Sequence, residues 1–152
     1  MRMISIAFLG LLSSTLVFSA ALAQDFGTAE EARAMLDRAT ASLEEDKDQA
    51  LSDFNAGAEG FKEKDLYVFC GNAETGEFTA HGANESLVGK SLQDLQDKDG
   101  KALGEEMYSV AAEGEVHEVD YMWPRPGEEE PTQKSSYVTR VDDQICAVGY
   151  YQ

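Results

Sequence analysis

The residues best suited to chemistry lie between positions 119 and 140, VDYMWPRPGEEEPTQKSSYVTR. Two alternating segments flank an acidic connection carrying Pro and Gly, the pattern of antiparallel strands joined by an exposed hairpin loop. Side chains alternate with period two along a strand. Tyr121 and Trp123 therefore share one face of the first strand, and Lys134 and Ser136 share one face of the second. Two aromatics with polar tips, one ammonium and one hydroxyl suggest a polar-tipped pocket rather than a plain core. An ammonium at the base of an apolar pocket costs several kcal/mol to desolvate unless an anion or a hydrogen-bonding group meets it. A ligand carboxylate would do so, with the Tyr121 hydroxyl and the Trp123 indole N–H as oriented donors. The competing reading is a solvated Lys134 on a hairpin arm opposite Glu128 to Glu130, since lysines are mostly exposed. Tyr121 and Trp123 could equally be core aromatics whose polar tips find backbone partners.

The remaining candidates are weaker. His81 and His117 are the only histidines, and neither belongs to a ligand cluster of the kind zinc needs. His117, beside Glu115 and Glu118, reads as solvent-facing. His81 could donate to an anionic ligand or titrate near neutrality, against the plainer reading of a satisfied loop residue. The DKDG segment, Asp97 to Gly100, invites comparison with a calcium loop. Aligning its glycine with the loop glycine puts Leu95 where an acidic ligand is required, so the segment reads as a turn. No nucleophile elbow, zinc-protease helix, phosphate loop or dinucleotide fingerprint occurs. The sequence gives no support to catalysis, a metal or a cofactor.

The elements that must position these residues follow from periodicity. Thr28 and Glu31 form a capping box. From Ala32 through Met35, Leu36, Ala39, Leu43, Ala50, Leu51 and Phe54 to Phe61, apolar residues keep near-helical spacing. A continuous helix over this span would be about 50 Å long, wider than so small a domain. Either one end projects or the helix breaks around Glu44 to Asp48. Strands are expected at 65–70, 77–81, 115–123, 133–141 and 144–151, with a helix over 102–113 ended by Gly114. The order is helix, two strands, helical connection, three strands. That is an α+β domain, a five-stranded antiparallel sheet with helices packed on it.

The first 23 residues read as a secretory signal peptide. A short basic start, an apolar run and Ala21-Leu22-Ala23 before Gln24 fit that pattern, with an uncleaved membrane anchor as the alternative. Residues 24–152 then form one domain of 129 residues, carrying 11 basic against 29 acidic side chains and a net charge of −18. Such a balance repels nucleic acid and anionic membrane surfaces. Cys70 and Cys146 are the only cysteines. In an oxidising compartment an even count reads as a disulfide, with two buried free thiols as the other possibility.

The ordered set YVFC, TAHGANESLVGKSL, DKDGKAL, VDYMWPRPG, K-x-S-Y-V and VGYY resembles the single Cache domain family, type 2. These are PAS-like extracytoplasmic sensor domains of bacterial chemoreceptors and sensor kinases. The resemblance covers nearly all of residues 24–152. It implies a long N-terminal helix across a curved antiparallel sheet, and a pocket on the other side for a small organic acid or similar polar metabolite. Carried onto this sequence, the pocket positions are Tyr121, Trp123 and Lys134, with Tyr108 and His81 as further candidates. Tyr137 has the opposite parity to Lys134 and is expected under the long helix, and Tyr150 and Tyr151 read as structural. The sequence ends at Gln152 with neither a transmembrane helix nor an output region after the last strand. The expectation is a periplasmic binding domain, not an enzyme, that would present its ligand-bound state to a membrane receptor or sensor kinase. The alternative is a protein–protein interaction module that docks through its long helix, to a sensor or to itself as a homodimer.

Overall fold

A computed structural model describes residues 26–152. The expected signal peptide, residues 1–23, lies outside them. The fold opens with helix α1 (Ala29–Glu45), whose capping box is complete: the Thr28 hydroxyl accepts from the Glu31 N–H, and the Glu31 carboxylate accepts from the Thr28 N–H. Replacing Thr28 with Ala is expected to lower the unfolding free energy by about 1 kcal/mol, read as a lower urea midpoint at unchanged slope.

The helical run breaks at Asp46, inside the charged stretch where a break was one of two possibilities. Asp46 is extended; its N–H closes α1 on the Ser42 carbonyl, and its carboxylate caps helix α2 (Lys47–Ala56) at the Gln49 N–H. Gly57, at φ 60°, ends α2 in the left-handed conformation that glycine tolerates best.

Six strands follow where five were expected. The addition is β1 (Lys62–Glu63), two exposed charged residues paired with β2 (Leu66–Asn72). Neither residue carries an apolar signal, which is why alternation does not reveal the strand. Strand β3 (Phe78–His81) shares the same edge of β2. A loop with one 3-10 turn leads to helix α3 (Leu103–Val110), shorter than expected because Ala111 is already extended. Strands β4 (His117–Pro124), β5 (Pro131–Val141) and β6 (Gln144–Tyr151) complete an antiparallel sheet of order β1-β2-β6-β5-β4.

The two faces of the sheet carry separate cores. On one, Met35, Leu36, Ala39 and Phe54 of the long helices pack on Val68, Cys70, Cys146 and Val148, with Tyr137 and Tyr150 at the margin. Cys70 and Cys146 stand directly opposite on the neighbouring central strands β2 and β6 and are joined as a disulfide. On the other face, Leu92, Leu103 and Met107 of the connecting segment cover Phe69, Val119, Tyr121 and Val138. The register Tyr121↔Lys134 and Val119↔Ser136 places the hairpin residues of interest on this second face.

Candidate ligand-binding site

Between the second face and its covering loops lies a tight pocket of about 10 Å³, room for about one water molecule. Its apolar walls are Phe69, Phe78, Leu95 and Leu103, and its polar-tipped walls are Tyr67, Tyr121, Trp123 and His81. Beyond it opens a mouth of about 220 Å³, bounded by the β4–β5 loop from Pro124 to Glu128 and by Ala83, Asn84 and Leu87. Tyr67, His81 and Trp123 border both spaces and so form the neck between them.

Lys134 stands behind this wall. Only 1% of the residue is exposed, and Nζ donates a hydrogen bond of 2.8 Å to the Tyr67 hydroxyl. Nζ lies 4.2 Å from the ring centre of Tyr67, 5.0 Å from that of Tyr151, 5.7 Å from Phe69 and 5.9 Å from Tyr121. These ring faces favour a cation, but no carboxylate among the described residues forms an ion pair with it. Burial pushes the amine down to about 7, against a weaker pull upward from Asp65.

The lysine reaches this position because β6 has no side chain at Gly149. Starting on β5, the Lys134 stem passes over Gly149 to Tyr67 on β2, and a Cβ at position 149 would overlap both Lys134 Cε and Ser136 Oγ. An isolated glycine inside a strand marks close approach of this kind. Ser136 itself is fully buried and shares a 2.8 Å hydrogen bond with the Tyr121 hydroxyl. Burial raises Tyr67 and Tyr121 far above the usual phenol range, so both keep their protons.

His81 is 4% exposed, and its Nδ1 accepts from the N–H groups of Ala83 and Asn84 at 3.3 and 2.9 Å. That assigns the ring proton to Nε2. Burial, and then the Lys134 charge, lower the imidazole to about 4, so it is a neutral donor and does not titrate near neutrality as the sequence allowed. His81 and Lys134 thus bind fewer protons folded than unfolded, between about pH 4 and 6.5 for the histidine and about pH 7 and 10.5 for the lysine. Both make stability rise with pH through their windows. Urea midpoints measured across the two windows are expected to increase, and replacing Lys134 with Met is expected to flatten the upper one.

Other residues settle elsewhere. Tyr108 does not border the cavity; its hydroxyl donates to the Asn72 carbonyl at 2.8 Å. His117 is half-exposed beside Glu115 at 3.2 Å. Asp97 closes the DKDG turn, one carboxylate oxygen accepting from Asp99 and Lys101 N–H and the other from Met122 N–H, which ties the turn to β4 next to Tyr121. Tyr150 lies on the helix side, donating to Glu118. Tyr151, read as structural, has its ring against Lys134 and its hydroxyl on the Pro124 carbonyl at 2.7 Å.

Sequence reasoning missed Tyr67, Phe69, Gly149 and Arg125. Arg125 looked like part of an exposed acidic loop. Its guanidinium instead borders the mouth, stacks over Phe26 and Tyr151 at 4.5 and 4.8 Å, and faces the Asp65 carboxylate at 3.4 Å. The other Asp65 oxygen accepts from the Gly27 N–H at 2.6 Å, just ahead of α1. Arg125 Nε and Asp65 Oδ2 are buried without a hydrogen bond. The site therefore offers neutral O–H and N–H donors around a neck, a buried ammonium behind them and a guanidinium at the rim.

A helix-backed antiparallel sheet with a loop-covered pocket on its other face is the architecture of chemotaxis sensor domains. The chain belongs to the Cache domain family, whose sequence model matches residues 31–150. A stretch of 58 residues is 40% identical to the methyl-accepting chemotaxis protein McpP of Pseudomonas putida KT2440, covering 38% of this chain and 11% of that protein. The chain thus matches only about a tenth of this relative's length.

Among solved structures, a methyl-accepting chemotaxis protein from Vibrio parahaemolyticus superimposes with a TM-score of 0.66 at 22% identity, over 80% of this chain and 86% of that one. A periplasmic sensor domain of a chemotaxis protein gives 0.58 at 24% identity, over 80% and 88%. A Cache chemosensory domain described for carboxylic acid recognition gives 0.56 at 24% identity, over 77% and 83%. These likenesses establish the fold. Among the described residues, no helix is long and apolar enough to cross a membrane.

Proposed function

We propose that this protein is a periplasmic sensor-type domain that binds a small carboxylate and passes its ligand-bound state to a chemotaxis or sensor-kinase partner. The observation that carries the reading is Lys134, a buried ammonium without a carboxylate partner among the described residues, one ring behind a pocket whose neck is built of hydrogen-bond donors. Desolvating such a charge is costly unless an anion arrives to meet it. The Tyr67 hydroxyl, already accepting from Nζ, turns its own proton toward other acceptors and relays the positive field to the neck. The relative described for carboxylic acid recognition supports the choice of acid. The mouth, at about 220 Å³, is the space that would take a short chain.

Thermal denaturation with acetate, propionate and lactate tests the reading. A ligand at a hundredfold excess over its dissociation constant should stabilise the fold by about 2.7 kcal/mol. Lys134→Met is expected to keep or raise the melting temperature while losing the response to acid, because it removes a desolvated charge and the anion's attractor together. A variant that still responds like wild type would sink the assignment. The affinity carries a pH signature. A carboxylate favours the ammonium form, so above about pH 7 binding must take up a proton. Titration calorimetry should show affinity weakening by up to about tenfold per pH unit in that range.

A further inference from the structure

We infer that the mouth is a site for a zwitterion, a small α-amino acid whose carboxylate meets Arg125 and whose ammonium meets Glu128. The inference rests on the reading that the site admits small carboxylates, and it names the class of carboxylate preferred.

Arg125 and Glu128 both border the mouth of about 220 Å³. They stand at the two ends of one tight turn, Arg125-Pro126-Gly127-Glu128, closed by the Glu128 N–H donating to the Arg125 carbonyl at 2.9 Å. Proline in the second position and Gly127 at φ 82° in the third are the residues a type II turn favours. Such a turn holds its end Cα atoms within about 7 Å of each other. The carboxylate and ammonium of an α-amino acid hang from one carbon, so a site for both must offer a cation and an anion at short spacing. This turn supplies them.

Opposite charges at the ends of a turn would ordinarily pair with each other. Among the described residues Glu128 forms no ion pair, and Arg125 forms one only with Asp65. The guanidinium is held away from its neighbour in the turn: it lies over the rings of Phe26 and Tyr151, with Nε toward Asp65 at 3.4 Å. That leaves its Nη groups for a carboxylate, which a planar guanidinium matches well. Glu128 is exposed at the mouth with its charge unspent. The remaining walls set the side chain. Ala83, Leu87 and Trp123 are apolar, and the pocket behind them has room for about one water molecule. A small apolar side chain fits these walls and a long or charged one does not.

The overall charge points the same way. Residues 24–152 carry a net charge of −18, which repels a free anion on approach. A zwitterion has no net charge and escapes that repulsion.

Calorimetry and thermal denaturation compare L-alanine with propionate, which has the same carbon chain without the ammonium. Wild type is expected to bind L-alanine at least about fivefold more tightly. Glu128→Gln, at an exposed position, should erase that preference while propionate affinity stays the same or rises. If propionate binds as tightly as L-alanine, or if Glu128→Gln leaves the preference intact, the zwitterion site is overturned and carboxylate binding stands. If neither compound raises the melting temperature, both readings fall.

Discussion

Gly149→Ala should abolish acetate binding and lower the unfolding free energy by about 1–3 kcal/mol, the usual range for overpacking a core. The new methyl group would occupy the space through which Lys134 passes, overlapping Cε and the neighbouring Ser136 Oγ. The lysine has no free volume to retreat into, because four aromatic rings surround its tip. Displacing it breaks the hydrogen bond to Tyr67, and displacing Ser136 breaks the one to Tyr121. Both breaks strand polar atoms in the interior. A urea midpoint and an acetate titration measure the two effects. Adding Lys134→Ala to Gly149→Ala should cost less than the sum of the single changes, because the stem that the methyl group strikes is gone. A Gly149→Ala protein with the wild-type midpoint and affinity would show that the crossing over β6 is not needed.

Removing the disulfide is expected to have the larger effect on stability. Cys70 and Cys146 are separated by 76 positions, and a bridge closing so long a loop stabilises by about 4 kcal/mol on the chain-entropy model. For a domain whose total stability is of order 5–15 kcal/mol, that is a large share. The bridge ties β2 to β6 beneath the long helices, on the face opposite the cavity. Cys70→Ala with Cys146→Ala, or reduction of the wild type, should therefore lower the urea midpoint sharply while leaving acetate affinity unchanged in the protein that remains folded. Equal midpoints with and without reductant would contradict the expectation.

What the sequence disclosed depended on which physical signal a residue carries. Alternation paired Tyr121 with Trp123 on one face of its strand and Lys134 with Ser136 on one face of theirs, with Tyr137 on the opposite face, because parity in a strand is fixed by the pleat; the register Tyr121↔Lys134 then joins the two faces. The run Leu66 to Cys70 was legible as a strand, yet every residue in it is buried, so parity alone could not tell that Tyr67 and Phe69 face the cavity. Lys62 and Glu63 are charged and exposed and left no trace of their short strand. Tyr108 lies on a helix whose rotation is set by packing, and its hydroxyl found a backbone carbonyl instead of the cavity. The drop of His81 to about 4 arises from burial and the nearby ammonium, and neither is a local property of the chain. Arg125 sat among glutamates and prolines in the sequence; its aromatic sandwich draws on Phe26 and Tyr151, nearly the whole chain apart. Gly149 was the signal present and unread, a lone glycine within a strand of buried residues.

The Asp65 carboxylate has a mechanical consequence. One of its oxygens anchors the backbone at Gly27 and the other leans on Arg125 at the rim of the mouth, so it is a shared abutment for the two. Drawing the guanidinium away toward an incoming anion would leave a buried negative charge supported on one side only. The load would fall on the joint where α1 begins, some forty positions back in the chain. In this domain the rim of the pocket and the foot of the long helix rest on one carboxylate.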